Sequence, residues 1–449
     1  MRKTTAFTLF TALLFTGAAA CAQSKPGKAM AQDKKSQEID FKYAQAFYQS
    51  GLKKTERRDF KGALRDFNRA IERRPNYGRA YLNRGVVRSE TGDAEGAIAD
   101  YTKAIELEPK SAQAFYYRGY AKSALGDLAA ALADYTAALE LDPKIGRAYR
   151  GRGFARMSTG DSAGAVDDFT KAIELNPEDT KTYYLRAAAL LAVEKYDQAA
   201  LDYTHILKSN PNDAKVYYNR GLARSESNDS AGALADLAKA IELDPEYARA
   251  YYLRGVTRFN GKDFTGAIED ITRALELDEH NAHAWYFRAT AKAGLEDFWG
   301  ALADYSKTLE LDAKYAQAYY NRAFIEAFQG DLKAALRDYT KAIEFNPRDA
   351  LAYHNRGIAR EKSGDRAGAL ADYTSAVEIA PTYAIAYFYR GKAKAAGGDL
   401  AGALLDYTKV IAMDPQYGPA YAARGMLKEQ MNDPAGAAQD LEKAESLQR

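Results

Sequence analysis

Cysteine is all but missing from these 449 residues: Cys21 stands alone, so no disulfide forms within the chain and no other thiol offers a nucleophile. Histidine is scarce too, with four in all. His280 and His283 stand three apart, but they fall in a turn and no further ligand-type residues cluster with them, which argues against a metal site. No His-Glu-x-x-His segment occurs, and Gly261-Lys262 and Gly391-Lys392 lack the upstream glycine spacing of a phosphate loop. The apolar run from Ala6 to Ala20 is too short to cross a membrane as a helix. With none of these constellations present, the chain reads as a protein that is not an enzyme and needs no cofactor.

What is present is one stretch written twelve times. Ala80 to Pro109, AYLNRGVVRSETGDAEGAIADYTKAIELEP, recurs every 34 residues without insertion or deletion. Counted from two residues before that stretch, the units begin at Ala44, Gly78, Ala112, Gly146, Thr180, Ala214, Ala248, Ala282, Ala316, Ala350, Ala384 and Gly418. Apolar residues at unit positions 4 and 8, then 20, 24, 27 and 28, follow spacings of three and four and predict two helices, A and B, joined by a turn. Gly92-Asp93, repeated at 126-127, 160-161, 330-331, 364-365 and 398-399, supplies a stop for helix A and an N-cap carboxylate for helix B. Prolines such as Pro109, Pro143 and Pro245 then close helix B. Unit five lacks the Gly-Asp turn, with Glu194-Lys195 in its place, and units seven and eight carry Glu279 and Ala313 where the proline falls. In an array these are the places expected to yield first.

Position 8 is Gly or Ala from Gly51 to Gly425, position 20 is Ala from Ala63 to Ala437, and position 24 is commonly aromatic. At these residues, over 44–449, the chain resembles the tetratricopeptide repeat (TPR) family. That resemblance implies an all-α fold, an α-solenoid in which twelve 34-residue TPR helical hairpins wind into a right-handed superhelix. It also implies that helix A lines the concave face.

Arg2 and Lys3 precede the apolar run 6–20, a pattern expected of a secretory signal peptide over residues 1–20. Ala18-Ala19-Ala20-Cys21 resembles a bacterial lipobox, which implies lipidation of Cys21, although the residue three before the cysteine is Ala18 rather than the commoner Leu. The alternative is an ordinary A-x-A cleavage site, before Cys21 or after Ala22, leaving a periplasmic or secreted chain. Ala22, rather than Asp, is compatible with sorting to the outer membrane. Residues 21–43 are expected to form a flexible tether, since Gln23 to Asp40 shows no apolar period. Without Arg2 and Lys3, 61 basic residues balance 61 acidic ones, so binding to nucleic acid gets no electrostatic support.

Position 7 is Arg in eleven units and position 23 is Asp in all twelve. Both lie beside the packing residues, so partly buried ion pairs are expected, Arg84 with Asp100 and Arg220 with Asp236 among them, within a unit or with its neighbour. The other reading, an arginine ladder for anionic ligands, is weakened by the matching aspartates. Helix A positions 2, 5, 6, 9, 12 and 13 are free of packing and share a stripe. Position 5 gives Tyr48, Tyr116, Tyr184, Tyr218, Tyr252, Tyr286 and Tyr320, continued by His354 and Phe388. Position 6 gives Asn83, Asn219, Asn321 and Asn355, and position 2 gives Arg79, Arg147, Lys181, Lys215 and Arg249. Aromatic faces, carboxamides and cations together suit an extended peptide or partner helix. The bland reading is that the tyrosines pack on the next helix and the asparagines serve local geometry. In peptide-clamping TPR proteins the Asn row is unbroken, whereas here it occupies four of twelve units, and the Lys and Asn set that grips a carboxylate is not evident in three successive units.

The leading functional reading is an exported, membrane-anchored adaptor of the bacterial cell envelope that binds a protein or peptide in its groove. The second is a structural subunit, a homo-oligomer assembling through the solenoid ends or convex face. For that reading the last helix is the place to look, its neighbour-facing side, including Leu441 and Ala444, being exposed or covered by another chain, and Trp299 is an exposed or locally packed aromatic early in helix B of unit eight.

Overall fold

The structure, a computed structural model, describes residues 26–447, with side chains from Lys34 onward. The signal peptide expected at 1–20 and the candidate lipidation site Cys21 lie outside the described residues. The chain forms two compact bodies that divide between Val193 and Glu194. Body 1 holds α1 (Pro26–Glu56), α2 (Phe60–Arg73), α3 (Gly78–Glu90), α4 (Ala94–Leu107), α5 (Ala112–Ala124), α6 (Leu128–Leu141), α7 (Gly146–Ser158), α8 (Ser162–Leu175) and α9 (Thr180–Ala192). Body 2 holds α10 (Tyr196–Ser209), α11 (Ala214–Glu226), α12 (Ser230–Leu243), α13 (Ala248–Asn260), α14 (Phe264–Leu277), α15 (Ala282–Gly294), α16 (Phe298–Leu311) and α17 (Ala316–Gln329). It continues with α18 (Leu332–Phe345), α19 (Ala350–Lys362), α20 (Arg366–Ile379), α21 (Ala384–Ala396), α22 (Leu400–Met413), α23 (Gly418–Gln430) and α24 (Pro434–Ser446). The described residues contain no strand; within each body every helix packs on the next, as an α-solenoid requires.

The turn chemistry explains this regularity. An aspartate caps eleven of the twelve B helices by accepting a backbone N–H three residues on, as Asp93 does from Gly96 at 2.9 Å. Only α10 departs, with Lys195 at the cap and no side-chain bond. The residue before the cap is left-handed in all twelve turns: six are glycines such as Gly92, and the others are Arg58, Glu194, Asn228, Lys262, Glu296 and Asn432. Repeat packing imposes that conformation even on side chains that disfavour it, at roughly 1–2 kcal/mol each.

Between helices A and B, alanine at position 20 is buried in every unit, and a large residue at position 24 is buried in all but the last, where Leu441 is half-buried; Ala97 and Tyr101 are one such pair. Position 8 stays small because space is lacking: a Cβ on Gly85 would sit 2.6 Å from the Tyr101 ring. Beside this seam lies the expected ion pair. Arg220 donates from Nε and Nη2 to both Asp236 oxygens at 2.8 and 2.6 Å, and from Nη1 to the Thr204 hydroxyl of the preceding B helix at 3.1 Å. Its guanidinium also lies 5.4 Å from the Tyr217 ring, and Arg224 donates to the same aspartate at 2.8 Å. The same pairing joins Arg84 to Asp100, Arg118 to Asp134 and Arg152 to Asp168 in body 1. In body 2 it recurs from Arg254–Asp270 to Arg424–Asp440. The first unit substitutes Ser50 and Lys54, both donating to Asp66 at 2.6 Å. Every guanidinium so bound is occupied, which removes the ladder-for-anions reading at these pairs.

Unit nine breaks the second half of the pattern. Position 11, a lysine or arginine in ten units, is Glu326 there, on the helix face that meets Asp338. Its Oε2 is buried without a hydrogen-bond partner. Burial pushes its carboxyl up to about 7; Asp338 and Asp331 add to this, while Arg322 and Arg337 oppose it.

Both ends of the chain differ from the sequence reading. Residues 26–43, expected to be a flexible tether, are the beginning of the 31-residue α1. Its Ala, Lys, Gln, Glu and Met residues are good helix formers, and Glu38 meets Lys42 one turn on at 3.5 Å, so intrinsic propensity carries the helix where an apolar period is missing. At the other end, Ala444 is buried and Leu441 packs where a side chain on Gly425 would stand, so α23 covers the face offered for assembly.

Two predictions test these charges. Asp236→Ala strands Arg220 and Arg224 and should cost about 3–5 kcal/mol, read as faster amide exchange in α11–α13, whereas a cost no larger than that of Lys239→Ala would mean the pair is solvated. The neutral form of Glu326 is favoured in the folded state, so its stabilisation is full below about pH 4.5 and is lost as pH rises through about 7. After solvent screening the loss should be on the order of 1–2 kcal/mol around α17 and α18, flattened by Glu326→Gln and reversed by Glu326→Lys. A pH-independent profile for the unaltered chain would rule this out.

Candidate functional site

The three classes of candidate residue have different fates. Apart from the exposed Tyr184, the position-5 tyrosines are half-buried tiles in the seam between units: Tyr286 stacks on Tyr315 with ring centroids 4.9 Å apart, and Tyr218 packs on Tyr247 at 5.1 Å. Burial raises the Tyr116, Tyr218 and Tyr320 hydroxyls above their ordinary value and Tyr252 to about 12, so all four stay neutral near pH 7. Asparagines at position 6 donate to those hydroxyls from the next unit, Asn83 to Tyr48 at 3.2 Å, Asn321 to Tyr286 at 3.2 Å and Asn355 to Tyr320 at 2.8 Å. Asn83 also donates to the Arg79 carbonyl at 2.9 Å. Their carboxamides thus serve the local geometry, while Asn219 and the exposed Tyr184 have partners of their own. His354 leaves the row altogether. It is buried among Tyr373, Tyr383 and Tyr389, its Nδ1 has no partner, and burial draws it down to about 4.

The position-2 cations behave as a binding surface should. Arg79, Arg147, Lys181, Lys215 and Arg249 are all exposed. In body 1, Tyr116, Arg147 and Lys181 come together on one open cavity of about 840 Å³, which Tyr120 and Lys144 also line. Tyr116, Tyr120 and Arg147 continue into a smaller cleft of about 310 Å³ floored by Phe154. One carboxylate in the first cavity, Asp179, is already held by Arg150 and by the Thr182 hydroxyl. Burial alone would raise it, but these two partners outweigh burial and keep its carboxyl below the usual value. A third cleft, of about 770 Å³, joins Arg79 and Asn83 to Tyr48.

Positions 9 and 13 carry residues that the sequence reading left unnamed. In body 1 these are Tyr120 and Phe154; in body 2, Phe324 and Phe328 of α17 are exposed, Phe328 by 72%. Phe324 stands between two clefts of about 310 and 190 Å³, one containing Asn321 and the other Asn355. The available signal was a large apolar residue at a position packing does not need. Trp299 is 78% exposed on the B-helix side. His283 donates to or accepts from the Tyr315 hydroxyl at 2.9 Å, and among the described residues no metal-type cluster of His, Cys, Asp and Glu occurs.

Family models place this architecture. The TPR repeat model matches residues 89–126 and 325–364, and the tetratricopeptide repeat model matches 116–180, 218–282 and 354–418, together more than half of the chain. The chain belongs to the tetratricopeptide-repeat family. No curated protein matches it significantly. Among solved structures, YrrB, described as a TPR protein with an unusual peptide-binding site, is 28% identical over 41% of this chain and 95% of its own, with a TM-score of 0.39. Yeast Tom70 is 18% identical over 90% and 92%, at 0.38, and a tetratricopeptide repeat protein of Parabacteroides merdae is 20% identical over 56% and 99%, also at 0.38. Scores this low bear on nothing beyond the repeat itself.

Removing a seam tyrosine and removing exposed cations should therefore separate cleanly. Tyr286→Ala is expected to cost about 3 kcal/mol, and Arg147→Ala with Lys181→Ala less than about 0.5 kcal/mol, by denaturant unfolding. Similar losses in both would make the basic pair structural.

Proposed function

We propose that the chain is a non-enzymatic adaptor of the bacterial cell envelope, exported by its apolar leader and anchored by lipid at Cys21, that holds a partner protein's extended segment on the helix-A face of body 1. Tetratricopeptide-repeat proteins generally mediate protein–protein interaction and peptide binding. The observation that carries the finer reading is the convergence of Tyr116, Tyr120, Arg147 and Lys181 on one open cavity, aromatic faces beside exposed cations, with Glu90, Glu178 and the already engaged Asp179 also on its wall. Such a surface fits a segment with apolar side chains and at least one carboxylate. Among the described residues no helix is long and apolar enough to cross a membrane, so the anchoring reading rests on the lipobox-like residues 18–21.

Affinity capture from native membranes, followed by mass spectrometry, tests the site. The unaltered chain should retain a partner that is lost with Tyr120→Ser, Arg147→Glu and Lys181→Glu, with circular dichroism confirming an unchanged helix content. If the same partners remain, the body 1 face is not the site. Labelling with a radioactive fatty acid, compared between the unaltered chain and Cys21→Ala, tests the anchor.

A further inference from the structure

The near-zero net charge hides a separation along the chain. Residues 34–77 hold twelve lysines and arginines against six carboxylates, a local charge of +6, whereas residues 78–449 hold 47 against 54, a charge of −7. The basic segment is the first hairpin, α1 and α2. On α1, Lys35, Ile39, Lys42 and Tyr43 follow the spacing i, i+4, i+7, i+8 and share one stripe. All four are exposed, Ile39 by 46% and Tyr43 by 55%. On α2, Lys61, Arg65 and Arg69 form a second exposed stripe, and Arg57 and Arg58 are exposed in the turn between the helices. The two helices are tied where α1 begins to overlap α2: Arg73 meets Asp40 at 3.3 Å, and the Arg74 guanidinium lies 4.6 Å from the Phe41 ring.

We propose that this first hairpin is a docking surface for an anionic phospholipid membrane. Cations interleaved with exposed aliphatic and aromatic side chains match a headgroup layer, where the charges meet phosphate and the apolar tips enter the acyl boundary. A nucleic acid would use the cations and leave Ile39 without a role. The inference rests on the envelope reading. The binding face around Arg147 and Lys181 belongs to other helices and is left open.

Vesicle flotation of the full chain decides this, comparing neutral phosphatidylcholine vesicles with vesicles containing about 30% phosphatidylglycerol. An acyl group or apolar leader inserts into both kinds, so the difference between them reports the hairpin. The expected result is at least about tenfold stronger binding to the anionic vesicles, falling as salt is raised from about 0.1 to 0.5 M. That preference should vanish in Lys35→Glu, Lys42→Glu, Lys61→Glu, Arg65→Glu and weaken in Ile39→Ser, Tyr43→Ser, with circular dichroism confirming the fold of each. The groove variant Arg147→Glu, Lys181→Glu should keep it, which separates failure of this inference from failure of the partner site. Equal binding to both vesicles overturns the proposal, as does an unchanged preference in the four-charge variant. Binding to an oligonucleotide or an acidic polypeptide without binding to anionic vesicles also overturns it.

Discussion

From the second unit onward the repeat depends on one guanidinium per unit, held from as many as three directions. Arg220 shows the arrangement: a carboxylate on its own B helix, a hydroxyl on the preceding B helix and the ring of Tyr217 one turn earlier on its own A helix. Each contact on its own is weak support for stability, since a buried pair must first offset desolvation of both charges. Together they fix geometry. A planar donor that meets two oxygens and a hydroxyl tolerates little rotation of one hairpin against the next, so the arginine sets the angle at which hairpins stack, while alanine and glycine at positions 20 and 8 set the distance.

That division of labour decides which residues remain for a ligand. A side chain repeated at the same position in most units is there because every hairpin needs it. The tyrosine row illustrates this: its rings lie between units and its hydroxyls accept from the asparagines that follow, so two of the three classes read as groove residues are structural members with at most an exposed edge. The position-2 cations have no such duty. They reach a cavity at Arg147 and Lys181, where neighbouring units also supply Tyr116 and Tyr120, and at Arg79 beside Tyr48, both in body 1.

Periodicity made most of the architecture legible from sequence: hairpin boundaries recur twelve times at a spacing of 34 residues, and aspartate caps and Arg–Asp positions eleven times each, so each is in effect a repeated observation. What recurs once was harder to read. The helix over residues 26–43 has no apolar period and stands on propensity, a weaker signal than patterning. Phe324 and Phe328 break no rule of the repeat, so the sequence pattern does not mark them, although their exposure is the more unusual feature. Spacing shows which residues share a helix face but not how near the adjoining unit comes to it, so the packing of the tyrosine row between units has no sign in the sequence.

Glu326 and the first hairpin point to a general consequence. In a repeat array the lattice tolerates a departure only if the lost contact is replaced or the loss is small against the sum of interfaces. Glu326 removes a cation that ten units supply and leaves a carboxylate oxygen buried without a partner, so unit nine is held by Arg322 alone where its neighbours have two cations. The first hairpin departs in the opposite sense: Arg57, Arg58, Lys61 and Arg65 place exposed positive charge where the array needs none. Neither feature follows from stacking hairpins, and one of them carries a cost in stability. Positions that repeat answer to the fold, and those that depart from it at a cost, or with no gain to packing, are where a partner or a surface has to be sought.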